Sequence, residues 1–327
     1  MPTIAKNLRW GSGKASLVDE YFASVTWTGN SGTQAIDCGF DFTGGGLIAI
    51  SADSRSEGLL WMVTDHSLTE MFEFPGNNDV ITLSSPITLT STGFTLPSDP
   101  RVNWSSSDFH AFVFRKKSGF FSTSTWTGNN TAGRTIAHGL GAVPGACQVL
   151  TQEREHNVFD HRSFATRGTD YILTSTTNPV QSSDNHFNST APDGTNLTIG
   201  ATNETNANSR LFAACFFGHD TASDGFIQCG VYTGNGLATG PAIDLGWEPQ
   251  AVAIRGGASG SNGQWYDNLR DLTNPRSIAS PWEGALGWID PAPGIDFTPT
   301  GFQPKSSDAD VNASGTSYYY IAIRKAG

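Results

Sequence analysis

Thr-Trp-Thr-Gly-Asn occurs at residues 26–30, recurs at 125–129, and returns as Val-Tyr-Thr-Gly-Asn at 231–235. A short way downstream of each copy stand an isoleucine and a glycine–apolar pair: Ile36 to Phe40 (IDCGF), Ile136 to Leu140 (IAHGL) and Ile243 to Trp247 (IDLGW). The motif glycines Gly29, Gly128 and Gly234 are 99 and 106 residues apart. That interval is too long for a solenoid turn and matches one small β domain, so the chain reads as three tandem copies of one design.

Within each copy, short alternating or aromatic-rich runs are separated by Gly, Asn, Ser and Asp. Strands are expected at YFASVTW, GLIAIS, LLWMVTD and FHAFVFRK in the first copy, and at their counterparts in the others. Such spacing belongs to a sandwich or barrel. The expected fold is all-β: three tandem antiparallel β-sandwich, jelly-roll-like domains of about 100 residues each. Their bounds are 21–118, 119–224 and 225–327, after an N-terminal arm at 1–20 that Trp10 would anchor. The first and last strands of each copy are its most apolar and are expected to pair. In FHAFVFRK both faces are apolar, so that strand is sandwiched in a core or has one face against a neighbour. The connectors are short, which argues for a fixed block. The turn glycines Gly29, Gly128 and Gly234 are expected to supply positive φ. A long polar loop is expected from Asn178 to Asn196.

Aromatic residues make up 11 %, enough for three modest cores, while charged residues are only 15 % of the chain, against about a quarter in typical domains. The formal net charge of −11 leaves no electrostatic footprint for nucleic acid. Arg115 to Lys117 is the one basic cluster and reads as a solvated strand end. No run approaches the ~18 apolar residues of a membrane span, and no apolar segment of signal-peptide length is seen. The chain is therefore expected to be made in a cytosol. The cysteines Cys38, Cys147, Cys215 and Cys229 form no CxxC pair. Each sits in an apolar run, so buried free thiols are expected, with a Cys215–Cys229 bridge the lesser alternative. No metal and no cofactor are implied.

The combination YTGN, AGRTIAHGLGAVP, NSTAP at Asn188 to Pro192, WYD at Trp265 to Asp267, and VNASGTSYYYIAIRK at the C-terminus resembles repeat domains of tailed-phage virion proteins, common in phages of marine bacteria. The resemblance covers nearly everything after residue 20. The first copy departs from it, with DCGFDFTGG in place of the HGLGxxP form. What it implies is a non-enzymatic tail-fibre or baseplate component involved in host attachment. It would be located in the virion, with other virion proteins as partners, and homo-oligomeric, as a trimer. A capsid decoration or head-fibre protein is the alternative placement, and a carbohydrate-binding module the alternative class.

No nucleophile with an evident base, P-loop or HExxH run is present. The best chemical candidates are Asp65-His66 and Asp160-His161, which with Asp267-Asn268 are expected at equivalent positions. Each could bind a cation or sugar hydroxyl at a loop. Equally, the aspartate could satisfy turn amides, with the histidine a bystander. The third copy lacks the histidine, which favours the second reading. His138 aligns with Cys38 and Leu245 and so reads as a packing position. Trp282 and Trp288, in an insertion expected to have no counterpart, are the candidates for glycan or partner contact. Trp265 is expected in the core.

Overall fold

The computed structural model describes residues 18–53, 59–73, 80–152, 156–174, 176–282 and 287–327. The expected arm falls mostly on residues 1–17, outside the described residues. Alternating side chains with turn residues between them build strands almost throughout. Unit 1 contains β1 (Phe22–Thr28), β2 (Gln34–Asp37), β3 (Gly46–Ala52), β4 (Leu60–Val63) and β5 (Glu70–Glu73). After these come β6 (Ile81–Thr82), β7 (Thr88–Thr90), β8 (Gly93–Leu96), one-turn helix α1 (Pro100–Asn103) and β9 (Asp108–Arg115). Unit 2 has β10 (Phe121–Thr127), β11 (Arg134–Ala137), β12 (Ala146–Thr151), β13 (Val158–His161), β14 (Asp170–Leu173) and β15 (Gln181–Ser182). It ends with α2 (Asp184–Phe187), β16 (Asn196–Ile199), α3 (Asn203–Asn206) and β17 (Leu211–Phe217). Unit 3 has β18 (Ile227–Thr233), β19 (Ile243–Asp244), β20 (Pro249–Gly256) and β21 (Gly263–Asp267). It continues with β22 (Ala279–Pro281), β23 (Ile295–Thr298), β24 (Gly301–Pro304) and β25 (Ser317–Arg324). The polar loop expected at 178–196 in fact holds β15 and α2.

One strand order appears three times. The large sheets run β1-β9-β3-β4-β5-β6, β10-β17-β12-β13-β14-β15 and β18-β25-β20-β21-β22. In each, the first strand pairs antiparallel with the last, as Phe22 with Phe114, Phe121 with Phe217 and Ile227 with Ile323. A small sheet covers one face of each: β2-β8-β7, β11-β16 and β19-β24-β23. The fold is thus an all-β sandwich type with unequal layers.

The cores differ from the expectation of three. Each sandwich has its own outer core, around Trp27, Phe94 and Phe109 in unit 1, Trp126, Leu197 and Phe212 in unit 2, and Tyr232, Phe302 and Tyr318 in unit 3. A fourth core is shared by all three, with Phe22, Trp61, Phe112 and Phe114 meeting Phe121, Phe159 and Phe217, and Ile227, Trp265 and Ile321. The closing strand β9 shows why. Phe109, Ala111 and Val113 enter the outer core, while Phe112 and Phe114 on its other face enter the shared one. Both alternatives read from FHAFVFRK are therefore realised in the same strand. Trp61 and Trp265 occupy equivalent register positions in their sheets and lie 6.4 Å apart, ring to ring. No unit can separate without exposing an apolar sheet face.

The repeated motif is a tether between the first turn and the last. Trp27 Nε1 donates to Val102 O at 3.1 Å, Trp126 Nε1 to Thr205 O at 3.0 Å, and Tyr232 OH to Val311 O at 2.6 Å. The next residue along in each partner turn is a fully buried asparagine. The side-chain oxygens of Asn103, Asn206 and Asn312 accept from Asn30 N, Asn129 N and Asn235 N at 3.0, 3.0 and 2.9 Å. The motif glycines do not have positive φ. They are required because a Cβ at Gly29, Gly128 or Gly234 would lie 2.0, 2.0 or 2.2 Å from a carbonyl oxygen of that partner turn. Positive φ belongs instead to the second-motif glycines Gly39, Gly139 and Gly246, at 81°, 65° and 77°.

Candidate functional site

Of the chemistry-bearing residues singled out above, Asp65, His66, His161 and Asp267 lie where one unit meets the next, and these contacts form three seams. Units 1 and 2 meet where Asp65 Oδ2 accepts from Thr123 Oγ1 at 2.5 Å. Lys116 Nζ holds the other carboxylate oxygen at 2.7 Å. Gln152 Nε2 crosses from unit 2 and lies 3.0 Å from both His66 Nε2 and Glu70 Oε2. Units 2 and 3 meet at His161, which is fully buried and donates from Nε2 to Tyr320 O at 3.2 Å. The Ser163 amide donates to its Nδ1, which fixes the ring. The buried Asp160 stays within its unit, held by Arg167 through Nε and Nη2 at 3.0 and 2.7 Å. Arg255, buried in unit 3, donates to the carbonyls of Thr176 and Asn178, both at 3.1 Å.

The third seam closes the ring from unit 3 onto unit 1. Asp267 accepts from Arg270 Nε at 2.6 Å and lies 3.5 Å from His110 Nε2. Arg270 Nη1 donates to Ser280 Oγ, which is 2.8 Å from Ser51 Oγ. The guanidinium also stacks on Phe112 and Trp288, 5.7 and 5.3 Å from the ring centroids. Burial pushes the Asp267 carboxyl up, but Arg270, His110 and the hydrogen bonds from Arg270 together hold it below the usual carboxylate range.

Each seam also has a backbone tie of one kind. An N–H from the outlying segment of one unit donates to a carbonyl at the end of the next unit's third strand: Val80 to Gln152 at 3.2 Å, Val180 to Gly257 at 2.9 Å and Trp288 to Ala52 at 2.9 Å. The contact is head-to-tail and closes after three steps.

Several expectations change here. Trp282 is 1 % exposed and packs on Phe159 and Trp265 at 5.0 and 5.5 Å, so it offers no surface for a glycan. Aromatic side chains from units 2 and 3 meet it there, which its irregular flanks did not reveal. Trp288 is half-buried. Its indole N–H donates to Ser51 Oγ at 2.8 Å, and its backbone does the work of Val80 and Val180. It therefore has counterparts in the other units and holds a seam together. The Asp–His steps are not equivalent to one another. Strand register aligns Asp160 with Met62 and Tyr266, and His161 with Val63 and Asp267, while Asp65 lies beyond the end of β4. His138 is buried, with Nδ1 accepting from Leu140 N at 3.1 Å, and it lies where Cys38 and Leu245 are also buried. All four cysteines are free and buried. Lys116 of the basic cluster is bound to Asp65 at the first seam.

Ser24, His110 and Asp267 resemble a nucleophile, base and orienter only in name. Ser24 Oγ at 2.9 Å and Asp267 at 3.5 Å both approach the same nitrogen, Nε2. A relay needs the carboxylate on the opposite nitrogen. Burial, followed by the nearby Arg270, also lowers the pKa of His110 to about 3, far from a working base near neutrality. Among the described residues no group of three or more His, Cys, Asp and Glu could hold a metal, and no helix is long and apolar enough to cross a membrane. A cavity of about 230 Å³ lies at the connector end, between Lys117, Phe120, Asp220, Asp224 and Phe226.

A family model described as a domain of unknown function, DUF7483, matches residues 121–326. The match begins on the first residue of β10 and spans units 2 and 3 together. No curated protein and no solved structure matches the chain.

Proposed function

We propose that this protein, which belongs to the DUF7483 family, is a non-enzymatic structural component of a tailed-phage virion, of tail-fibre or baseplate type, contributing to host attachment. One observation carries the reading. The titratable side chains best placed for chemistry are spent on seams that lock three β-sandwiches into one closed body. Asp65, His66, His161, Asp267 and Arg270 each bind a neighbouring part of the chain or the adjoining unit. The motif resemblance to virion proteins supplies the setting. In this reading other virion proteins are the partners and the virion is the location. The chain forms homotrimers there, although three units are already arranged in a ring within one chain.

The test is to purify particles from a host that makes the protein, identify their proteins by mass spectrometry, and label this chain with gold-conjugated antibody. Label on the tail or its fibres is the expected result. Label on the capsid surface would favour a decoration or head-fibre role. Absence from purified particles would remove the structural reading. The carbohydrate-binding alternative keeps no support from Trp282, and a glycan array with the intact chain decides it.

A further inference from the structure

Each seam contains a histidine that touches the adjoining unit: His66 between units 1 and 2, His161 between 2 and 3, and His110 between 3 and 1. The chain has seven histidines in all. A fourth, His219, lies in the connector from unit 2 to unit 3. There it accepts from Cys229 N at 3.1 Å and contacts Arg162. We propose that the ring is an acid-labile closure, held shut at neutral pH by uncharged imidazoles at its seams and opening there on acidification to uncover the shared apolar core.

The surroundings of each ring decide the direction. His110 is fully buried, with Arg270 and Asp267 facing it from unit 3, Ser24 from β1, and Phe112 and Trp288 against its edges. Its site already contains a matched pair, Arg270 with Asp267, so an added proton would bring an uncompensated positive charge. His161 faces Arg162, Arg167 and His219, with Phe159, Phe164 and Tyr319 around it. No carboxylate accepts from it, since Asp160 is bound to Arg167. His66 packs on Phe72 and has Glu70 beside it, with Gln152 crossing the seam. Burial is the first cause of the lowered pKa at all three, reaching about 3 at His110 and His161. At His219 burial and then Arg162 lower it to about 4.

The opened state binds protons near the ordinary histidine value of 6.5, and the closed state binds them below it, at about 3 for His110 and His161. Closure is therefore at full strength above pH 6.5 and weakens steadily as pH falls below it. The reason is geometric. With the units docked, His110 and His161 are fully buried and the His66 side chain is 2 % exposed, each touching the adjoining unit.

Hydrogen–deuterium exchange on the intact chain at pH 8 and pH 5, corrected for intrinsic exchange rates, tests this directly. Amides of Val80, Val180 and Trp288 are expected to lose protection at pH 5 while the small sheets β2-β8, β11-β16 and β19-β24 keep theirs. Unchanged seam protection down to pH 4.5, or simultaneous loss in seams and small sheets, would overturn the proposal. The variants His66→Gln, His110→Gln and His161→Gln give a second reading. Proton uptake on unfolding at pH 5.5 should fall by nearly one for His110→Gln and for His161→Gln, and should also fall for His66→Gln. Undiminished uptake in all three would equally overturn it. Neither experiment depends on where the protein resides.

Discussion

A methyl group added at Gly128 would place a carbon 2.0 Å from the Ala207 carbonyl oxygen, inside the tether between the first and last turns of unit 2. The obstacle is backbone, which cannot move aside as a flexible side chain would. Gly128→Ala should therefore destabilise by about 2 kcal/mol or more, in the range of overpacked sites. Gly139 differs. Its φ is 65° and a Cβ there meets nothing within 4 Å, so Gly139→Ala should cost only the left-handed penalty of about 1 kcal/mol. Urea unfolding of the two variants checks the order, and equal losses would refute the distinction. Both glycines are visible in the sequence, but the reason for each is not, because a close approach depends on a turn some 80 residues away. The buried asparagines were harder to see. Asn103, Asn206 and Asn312 stand in VNW, TNA and VNA, whose flanking side chains vary while the amide stays. Asn206→Ala would strip partners from Asn129 N, Thr131 O and Gly200 O. Only the Gly200 carbonyl belongs to a buried residue, so at about 1–3 kcal/mol for a buried group left unsatisfied, thermal unfolding should show a loss of about that size.

The long strands were legible because period-two alternation and Gly/Asn/Ser/Asp punctuation are local signals. The one-turn helices α1, α2 and α3 were not. Four residues are too few for a periodic signal, and such a turn forms only because its ends are held in place. At α1 the Asp99 side chain caps Arg101 N at 3.0 Å, and at α2 Ser183 caps Asn185 N at 3.2 Å. The segment carrying β22 and Trp282 was misread for a related reason. A tryptophan in irregular chain reads as exposed unless the partners that bury it are known, and here they come from units 2 and 3. Trp282→Ala should leave a cavity beside Phe159 and Trp265 and lower stability by about 3–5 kcal/mol. A calorimetric loss under about 1 kcal/mol would show that the shared core collapses freely there. Asp267→Ala tests the closing seam. It strands the Arg270 guanidinium among Phe112, Trp288 and Ser280 and should cost about 3–5 kcal/mol, as when one partner of a buried pair is removed. Asp160→Ala leaves Arg167, whose side chain is 13 % exposed and closer to solvent, so its loss should be smaller.

The three copies were evident from the sequence, but the ring they close was not, because the side chains that cross each seam come from different positions of the repeat and pair differently. Ser280 meets Ser51, His161 meets the Tyr320 carbonyl, and Asp65 meets Thr123, three contacts of different kinds. The one hint was the closing strands, apolar on both faces. The repeating geometry is carried by backbone, Val80, Val180 and Trp288 onto Gln152, Gly257 and Ala52, and backbone contacts leave no residue signature. This arrangement sets a requirement on the whole molecule. The family match covers units 2 and 3, which on sequence alone could stand as an independent pair. In the ring they cannot. Without unit 1, Trp265 would lose Trp61, Phe112 and Phe114, and Phe217 would lose Trp61 and Phe114. Asp267 and Arg270 would remain paired, but Ser280 and Trp288 would lose Ser51. A fragment of residues 119–327 should therefore keep its two outer cores and present one unpaired front face and one unpaired seam. Those are the two halves of a head-to-tail contact, so the fragment should self-associate rather than remain a monomer. Light scattering coupled to size-exclusion chromatography measures this across a tenfold concentration range. A monomer at every concentration, with melting unchanged from the intact chain, would mean that the shared core contributes little and the ring is three sandwiches held by their connectors.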